Sequence, residues 1–240
     1  MDKYRDEFFR DRHARTVYAA ETVLGLLLPA VPPVHAAIDV GCGVGTWLSV
    51  LEKRGVGAVQ GVDGPWVDIA NLVIPAQSFV HHDLKQDRDF GRRFDLAISL
   101  EVAEHLPPER AAGFVSWLTG LSDVVLFSAA TPRQGGKNHC NEQWQDYWSA
   151  LFAAQDYLPL DFIRARIWND RKIATWYRQN VLVYVRKTRC PEVRLPDGAG
   201  APGPLAIVHP EVFIAKLDRA ATIGGMLKRW RRALRRILRG

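Results

Sequence analysis

Residues 37–48 read AIDVGCGVGTWL, and this stretch decides the fold class. An apolar run ends in an aspartate, three glycines follow at alternate positions (Gly41, Gly43 and Gly45), and a helical pattern begins at once. In an open α/β sheet, such a junction lies at the carboxyl edge of the strands, where free N–H groups of a helix N-terminus bind ligands. The dinucleotide fingerprint G-x-G-x-x-G/A is not met, because Thr46 occupies its last position. The loop therefore predicts a nucleoside-cofactor site of another kind.

Strand-like and helical patterns alternate around this loop. The strand candidates are 36–40, 58–62, 78–82, 94–99 and 123–129, with helical patterns over 46–54, 108–120 and 142–155. Two later strand candidates, 160–166 and 180–186, can close the sheet as an antiparallel pair. Because the first strands are apolar on both faces, we predict an α/β fold whose mostly parallel sheet carries helices on both faces.

The 240 residues suit one α/β domain with appendages. We predict an N-terminal helical cap over 1–33, with an amphipathic helix at 3–28, and a cofactor-binding domain over 34–190. A Pro/Gly-rich linker follows over 191–204 and a basic amphipathic tail over 205–240.

The tail carries the protein's excess charge. From Met226 onward it holds seven Lys and Arg residues and no acid, which exceeds the net charge of +6 for the whole chain. Its apolar residues recur at helical spacing, so residues 223–239 suit the surface of an anionic membrane. Docking on an acidic protein face, on a second subunit or on RNA stays an alternative. Residues 1–225 are close to neutral, which argues against an extended nucleic-acid-binding surface.

The cysteines and the N-terminus bear on the compartment. Cys42, Cys140 and Cys190 are scattered without metal-ligand spacing, and the charged N-terminus does not resemble a secretory signal. We expect a cytoplasmic protein, peripheral at the inner membrane face if the tail binds lipid.

Two more acids end strands. Asp63 closes the second candidate strand, where a carboxylate can accept both hydroxyls of a ribose, and Asp83 follows the third, where it can accept from an adenine amino group. The stretches DVGCGVG, GVDG, HHDL and FDLAISLEVAEHLP occur in this order between about residues 34 and 130. In these motifs the chain resembles the class I S-adenosylmethionine-dependent methyltransferases.

This resemblance implies a Rossmann-like seven-stranded sheet and S-adenosylmethionine as the cofactor. It places Asp39, Gly41 and Gly43 near the methionyl part, Asp63 on the ribose, and Asp83 and Leu84 near the adenine. Gly45 and Ser99 complete the predicted cofactor contacts.

A second set of residues carries the candidate chemistry. Glu101, Glu104 and His105 are spaced i, i+3, i+4 after the fourth strand, and His139 lies on a glycine-rich loop after the fifth. Two carboxylates and two imidazoles can hold a divalent cation such as Mg²⁺ or Mn²⁺. The pattern resembles the small-RNA 3′-terminal ribose 2′-O-methyltransferases and the ubiquinone-pathway O-methyltransferases. That resemblance implies all four residues as metal ligands and a vicinal diol as acceptor. The alternatives are a metal-free site with His139 as general base, beside His105 as a catalytic candidate, and a purely structural role.

The acceptor is predicted from the aromatic residues between 144 and 177. Trp148 and Phe152 are expected to pack on the sheet, whereas the segment RARIWNDRKIATWYRQN (164–180) mixes aromatic and polar residues that suit a sugar ring. With GGKNHCNEQWQDYW before it, this segment resembles bacterial methyltransferases of surface-glycan pathways. The resulting prediction is an O-methyltransferase for a sugar hydroxyl of a glycan or glycolipid precursor. The alternatives are a small-RNA ribose or quinone-like diol acceptor, or a membrane-bound accessory protein without catalysis.

Overall fold

The computed structural model describes residues 16–196, 203–222 and 230. By their contacts, the described residues up to Ile207 form one compact unit, and those from Val208 onward form a second. Within the described part, no helix is both long enough and apolar enough to cross a membrane.

The first unit is built on one seven-stranded sheet with the order β3-β2-β1-β4-β5-β7-β6. The strands are β1 Ala36–Val40, β2 Ala58–Asp63, β3 Phe79–His81, β4 Leu96–Leu100, β5 Val124–Ser128, β6 Tyr157–Leu160 and β7 Leu182–Arg186. All pairings are parallel except those of β7, which is antiparallel to both β5 and β6. The predicted Rossmann-like, mostly parallel sheet is confirmed.

Helices cover both faces of the sheet, as predicted. They are α1 (16–27), α2 Thr46–Lys53, α3 Ala111–Leu121, α4 Gln145–Ala153, α5 Arg164–Ile167 and α6 Thr175–Asn180. One apolar cluster joins α1, α2 and α5 to the sheet, and a second joins α3 and α4 to it. Trp148 and Phe152 are 2% and 0% exposed, which confirms that α4 buries this part of its aromatic stripe.

The predicted strand over 160–166 is wrong. The strand β6 ends at Leu160, and α5 follows within the predicted range. Phe162, Ile163 and Ile167 are buried at i, i+1 and i+5, a spacing that brings one face of a helix rather than of a strand to the core. Arg164 is also buried, and its guanidinium pairs with both carboxylate oxygens of Asp161.

The second unit contains one described helix, α7, Pro210–Ala221. The side chain of His209 caps it by accepting a hydrogen bond from the amide of Glu211 at 3.2 Å. Phe213, Ile214 and Leu217 are each more than half exposed on it. The predicted membrane-binding stretch 223–239 lies outside the described residues except for Trp230, which is exposed, as do residues 197–202 of the predicted linker.

Candidate active site

A cavity of about 870 Å³ opens at the carboxyl edge of the sheet. The segments that follow β1, β2, β3 and β4 line it, joined by Thr16, Lys137, Asn138 and Tyr177. Ligands of open α/β sheets bind at this edge. Six of the eight residues predicted to contact the cofactor line the cavity, namely Asp39, Gly41, Gly43, Asp63, Asp83 and Leu84.

The glycine loop brings bare backbone to the cavity. Gly41 has a φ of 87°, and a Cβ there would lie 2.3 Å from a methyl carbon of Val102. Gly43 also has positive φ, but nothing lies within 4 Å of its Cβ position, so this glycine leaves open space beside the cavity. Both positions therefore favour glycine for backbone conformation, and Gly41 favours it for packing as well.

Gly45 and Ser99 lie elsewhere. Gly45 precedes α2, and a Cβ there would be 2.8 Å from Ile74, so this glycine serves close packing. Ser99 is fully buried within β4, and its hydroxyl donates to the carbonyl of Val40 at 2.9 Å. Neither residue is among those that line the cavity, because Gly45 packs on the core and the Ser99 side chain bridges two strands.

Asp39 and Asp63 place two buried carboxyl groups at the cavity. Asp39 is 2% exposed, and burial together with the charge of Asp63 raises its pKa well above the ordinary value. Burial also raises the pKa of Asp63, although hydrogen bonds from the amides of Gly43 and Gly64, both at 2.7 Å, oppose that rise. A ligand that is cationic or donates hydrogen bonds would therefore stabilise the charged form of both carboxyl groups.

Asp83 and Leu84 follow β3 at the other end of the cavity. The Asp83 side chain is exposed and accepts a hydrogen bond from the amide of Lys85 at 3.1 Å, whereas Leu84 is 4% exposed. A polar acceptor beside an apolar wall suits one edge and one face of a nucleobase.

Glu101 directly follows β4 and lines the cavity with a φ of 56°. Its two carboxylate oxygens accept hydrogen bonds from Nδ2 of Asn180 at 3.0 Å and from Nε2 of Gln134 at 2.9 Å. Burial raises its pKa, and these donors oppose the rise. A left-handed conformation in a glutamate is strained, and such strain is concentrated at functional sites.

Glu104, His105 and His139 form a separate group. One ligand atom from each of the three lies within 4.8 Å of the others, and Oε1 of Glu104 is 4.0 Å from Nε2 of His139. Glu101 does not join them, because it precedes a single 3-10 turn, Ala103–His105, rather than sharing the α-helical turn that its i, i+3, i+4 spacing predicts. The structure thus brings together three of the four predicted metal ligands.

The Glu104 carboxylate is the most unusual group in this cluster. It is 1% exposed, and neither oxygen accepts a hydrogen bond of normal geometry from the described residues. Burial, followed by the nearby charge of Glu101, raises its pKa to about 9. Buried polar atoms normally have partners, so these oxygens fit a cation held jointly with the two imidazoles.

The loop that follows β5 positions His139 in this cluster. The amides of Cys140 and Asn141 both donate to the carbonyl of Glu104, at 2.9 and 3.0 Å. Glu142 Oε1 lies 3.0 Å from Nδ1 of His139, so its carboxylate orients the ring and leaves Nε2 facing Glu104. A carboxylate behind a histidine in this way is typical of metal sites.

Several cavity and support residues were missed by sequence reasoning. Trp47, Trp66, Lys137 and Asn138 line the cavity, and Gln134 supports Glu101. Trp66 lies three residues after Asp63, so its place near the end of the second strand was a usable signal. Nothing in the sequence indicated Gln134, because its contact spans 33 residues.

Comparisons with known proteins bear on the family and the fold. Residues 2–160 match the family model described as "Methyltransferase domain". No curated protein sequence matches the chain.

Several solved structures are similar to the chain at low identity. One is magnesium protoporphyrin IX methyltransferase from Synechocystis PCC 6803 with bound SAH, at 22% identity and a TM-score of 0.53 over 76% of this chain and 86% of that chain. DesVI from Streptomyces venezuelae has 15% identity and a TM-score of 0.56, over 75% and 96% of the two chains. An O-methyltransferase family protein from Burkholderia thailandensis has 16% identity and a TM-score of 0.56, over 77% and 59%. Because the family model matches more than half of the sequence, the chain belongs to the methyltransferase-domain family, and the class I S-adenosylmethionine-dependent methyltransferase predicted from its motifs is confirmed.

Proposed function

We propose that the protein transfers a methyl group from S-adenosylmethionine to a sugar hydroxyl of a glycan or glycolipid precursor. The cofactor would lie with its methionyl part near Asp39, Gly41 and Gly43. Its ribose would lie on Asp63, and its adenine near Asp83 and Leu84. In the reaction a C–O bond forms as the S–C bond of the sulfonium breaks, sulfur keeps the electron pair, and the hydroxyl proton leaves to a base.

The observation that carries the choice of acceptor is the group Glu104, His105 and His139 beside the cofactor cavity. Its three donors fit Mg²⁺ or Mn²⁺, and one of them is the Glu104 carboxylate, which accepts no hydrogen bond of normal geometry from the described residues. Such an ion would coordinate two neighbouring hydroxyls of the acceptor and lower the pKa of the hydroxyl that reacts. Within the chain, Glu142 orients His139, and the amides of Cys140 and Asn141 hold the loop against Glu104.

The aromatic lining of the cavity supports a sugar. Trp47, Trp66 and Tyr177 line it, and apolar faces with a polar edge suit stacking on sugar rings. A diol on a terminal RNA ribose or on a quinone-like ring would engage the same cation site. The similar structures do not decide among acceptors, since one of them is a magnesium protoporphyrin IX methyltransferase and a shared fold hosts many substrates.

Transfer of a tritiated methyl group from S-adenosylmethionine to an acceptor panel tests this function. With full-length protein and Mn²⁺, we expect label on soluble sugars and lipid-linked glycans that carry a free vicinal diol, and no label on their monodeoxy analogues. The label should survive mild alkali, because an ether is stable where a methyl ester is hydrolysed. Alkali-labile label, or label on RNA or catechol acceptors alone, would contradict a sugar-hydroxyl acceptor.

Membrane contact through the tail is a separate proposal. The exposed apolar residues of α7 precede a stretch with seven basic residues and no acid. Each Lys or Arg near an anionic surface contributes about 1 kcal/mol. We expect the full-length protein to sediment with vesicles that contain one third phosphatidylglycerol and not with pure phosphatidylcholine vesicles. The variant Arg231→Glu/Arg235→Glu should lose most of this binding, and equal sedimentation of both proteins would contradict the proposal.

A further inference from the structure

The backbone of Glu101 is fixed at the carboxyl edge of the sheet. Glu101 directly follows β4 with a left-handed φ of 56°, and its amide donates to the carbonyl of Ser128 at 2.9 Å. The hydroxyl of Ser128 accepts from the same amide at 3.1 Å. Ser128 ends β5, the neighbouring parallel strand, so the strained residue is tied to two strands. Its side chain therefore starts from a defined point of the cavity wall.

Three side chains close a ring of hydrogen bonds that includes the Glu101 carboxylate. Oε1 accepts from Nδ2 of Asn180 at 3.0 Å, and Oε2 accepts from Nε2 of Gln134 at 2.9 Å. The ring closes because Nδ2 of Asn180 also donates to Oε1 of Gln134 at 2.9 Å. A carboxylate oxygen has two lone pairs, so each oxygen of Glu101 can accept a further hydrogen bond from a donor in the cavity.

A second layer of hydrogen bonds fixes the orientation of this ring. Gln179 is fully buried, and its side-chain amide donates to Oε1 of Gln134 at 3.1 Å and to Oδ1 of Asn180 at 2.9 Å. Oε1 of Gln134 also accepts from the backbone amide of Thr131 at 3.2 Å. A backbone N–H can only donate, so the carbonyl end of Gln134 faces Thr131 and its NH₂ end faces Glu101. The network thus presents the Glu101 carboxylate to the cavity in one orientation.

The donors of the cofactor are assigned to other carboxylates. In the proposed placement, Asp39 receives the amino group of S-adenosylmethionine, Asp63 its ribose hydroxyls and Asp83 its adenine amino group. These are all the hydrogen-bond donors that the cofactor carries, so none is left for Glu101. The partner of Glu101 in the cavity must then come from the acceptor.

Glu101 also lies apart from the candidate cation site. One ligand atom from each of Glu104, His105 and His139 lies within 4.8 Å of the others, and Glu101 is not a member of this group. A cation held by the group would coordinate the two hydroxyls of a vicinal diol. Because Glu101 and His105 both line the cavity, a hydroxyl beyond that diol can reach the Glu101 carboxylate.

We propose that Glu101 binds the acceptor instead of a metal, by accepting a hydrogen bond from a third hydroxyl outside the vicinal diol. A pyranose ring in a glycan carries such a hydroxyl, whereas a 3′-terminal ribose and a simple catechol carry only the diol. Glu101 therefore selects a sugar ring among the diol acceptors. This inference rests on the proposed function and names the residue that determines its acceptor class.

An exchange of two side chains tests the inference while keeping the ring. In full-length Glu101→Gln/Gln134→Glu, every hydrogen bond of the ring keeps one donor and one acceptor, and the carboxylate moves to a position that is not among those lining the cavity. The single variant Glu101→Gln instead turns one N–H toward another. We expect the single variant to melt at a lower temperature than the wild type and the exchange to restore the wild-type value. Binding of S-adenosylhomocysteine (SAH) should be the same in the exchange variant and the wild type.

Methyl transfer to a sugar acceptor and to its deoxy analogues measures the third hydroxyl. Each analogue lacks one hydroxyl outside the diol. On one of them the wild type should lose about 10- to 100-fold in kcat/KM, which corresponds to a hydrogen bond with a charged group. The exchange variant carries a neutral amide at position 101 and should lose only about threefold on that analogue. Equal losses in the two proteins, or no loss in the wild type on any analogue, would overturn the inference.

Calorimetric titration of Mn²⁺ provides a measurement that needs no acceptor. The exchange variant should bind Mn²⁺ with the affinity of the wild type. If Glu101 were a metal ligand, the exchange would weaken binding by at least about tenfold, and that result would overturn the inference. Label on RNA or catechol acceptors alone would overturn the proposed function itself, whereas the results above concern only the role of Glu101.

Discussion

Manganese added to the wild-type protein is expected to raise its melting temperature, and the variant Glu104→Gln/His139→Ala is expected to show no such rise. The double substitution removes two of the three donors in the group Glu104, His105 and His139. Loss of a residue behind a metal ligand typically costs 10- to 100-fold in affinity, so loss of two ligands should cost at least about 100-fold. Calorimetric titration of Mn²⁺ into SAH-saturated protein measures the same difference directly.

The expected response to Mn²⁺ follows from the protonation of Glu104 when no cation is bound. Its carboxyl group is buried without a hydrogen bond of normal geometry from the described residues, and its pKa is raised to about 9. At pH 7.5 the metal-free group therefore holds a proton, which an arriving cation displaces. Affinity for Mn²⁺ should rise with pH up to about 9 in the wild type, because fewer protons then compete for the carboxylate.

Controls separate metal binding from folding. The single variant Glu104→Gln keeps the side-chain shape and removes a carboxyl group that Glu101 disfavours as an anion, so its metal-free melting temperature should not fall. Glu109→Gln replaces an exposed glutamate nearby and should respond to Mn²⁺ as the wild type does. An unchanged wild-type melting temperature up to millimolar Mn²⁺ would remove the metal site and leave His139 as a candidate base.

Sequence reasoning was successful where short-range patterns determine structure. The run 37–48 predicted β1, the glycine loop and α2, since apolar strands, alternate glycines and helical periodicity are local properties. Asp63 and Asp83 were placed at one edge because the carboxyl ends of parallel strands meet there. Ser99 does not line the cavity, and this could not be foreseen, since no local pattern shows whether a strand side chain faces the cavity or bridges to Val40.

The candidate metal site depends on contacts that the sequence does not encode locally. The spacing of Glu101, Glu104 and His105 fits a helix, but the chain takes a left-handed residue and a 3-10 turn instead. Glu101 is thereby turned onto Asn180, 79 positions away. Such a partner is determined by tertiary packing. The spacing alone therefore could not show whether Glu101 binds a metal or accepts hydrogen bonds from amide side chains.

Replacement of Asp39 by asparagine is expected to weaken SAH binding about 100-fold at pH 7.5 while raising the melting temperature of the cofactor-free protein. Burial and the charge of Asp63 raise the pKa of Asp39, so a carboxyl group at this position destabilises the folded state at neutral pH. Asparagine has the same shape without that cost. It also lacks the negative charge that would pair with the amino group of the cofactor.

The effects of Asp39→Asn on stability and on SAH binding should each change with pH in a definite direction. A carboxyl whose pKa is raised on folding contributes stability below its unfolded pKa, near 3.8, and loses that contribution as pH rises toward the folded value. The stability advantage of Asp39→Asn should therefore grow between pH 4 and neutrality. In the wild type, SAH affinity should rise over the range in which Asp39 loses its proton, and in the variant this rise should be absent.

Thermal melts and calorimetry across pH 5 to 8 measure both effects. Asp218→Asn removes one negative charge from the exposed surface of α7 and should change neither quantity, which controls for net charge. If Asp39→Asn bound SAH as tightly as the wild type, Asp39 would not face the amino group. If it were instead less stable without cofactor, the carboxyl would be holding the glycine loop together. Opposite signs in binding and stability are the result that identifies Asp39 as a residue kept for the cofactor at a cost to the fold.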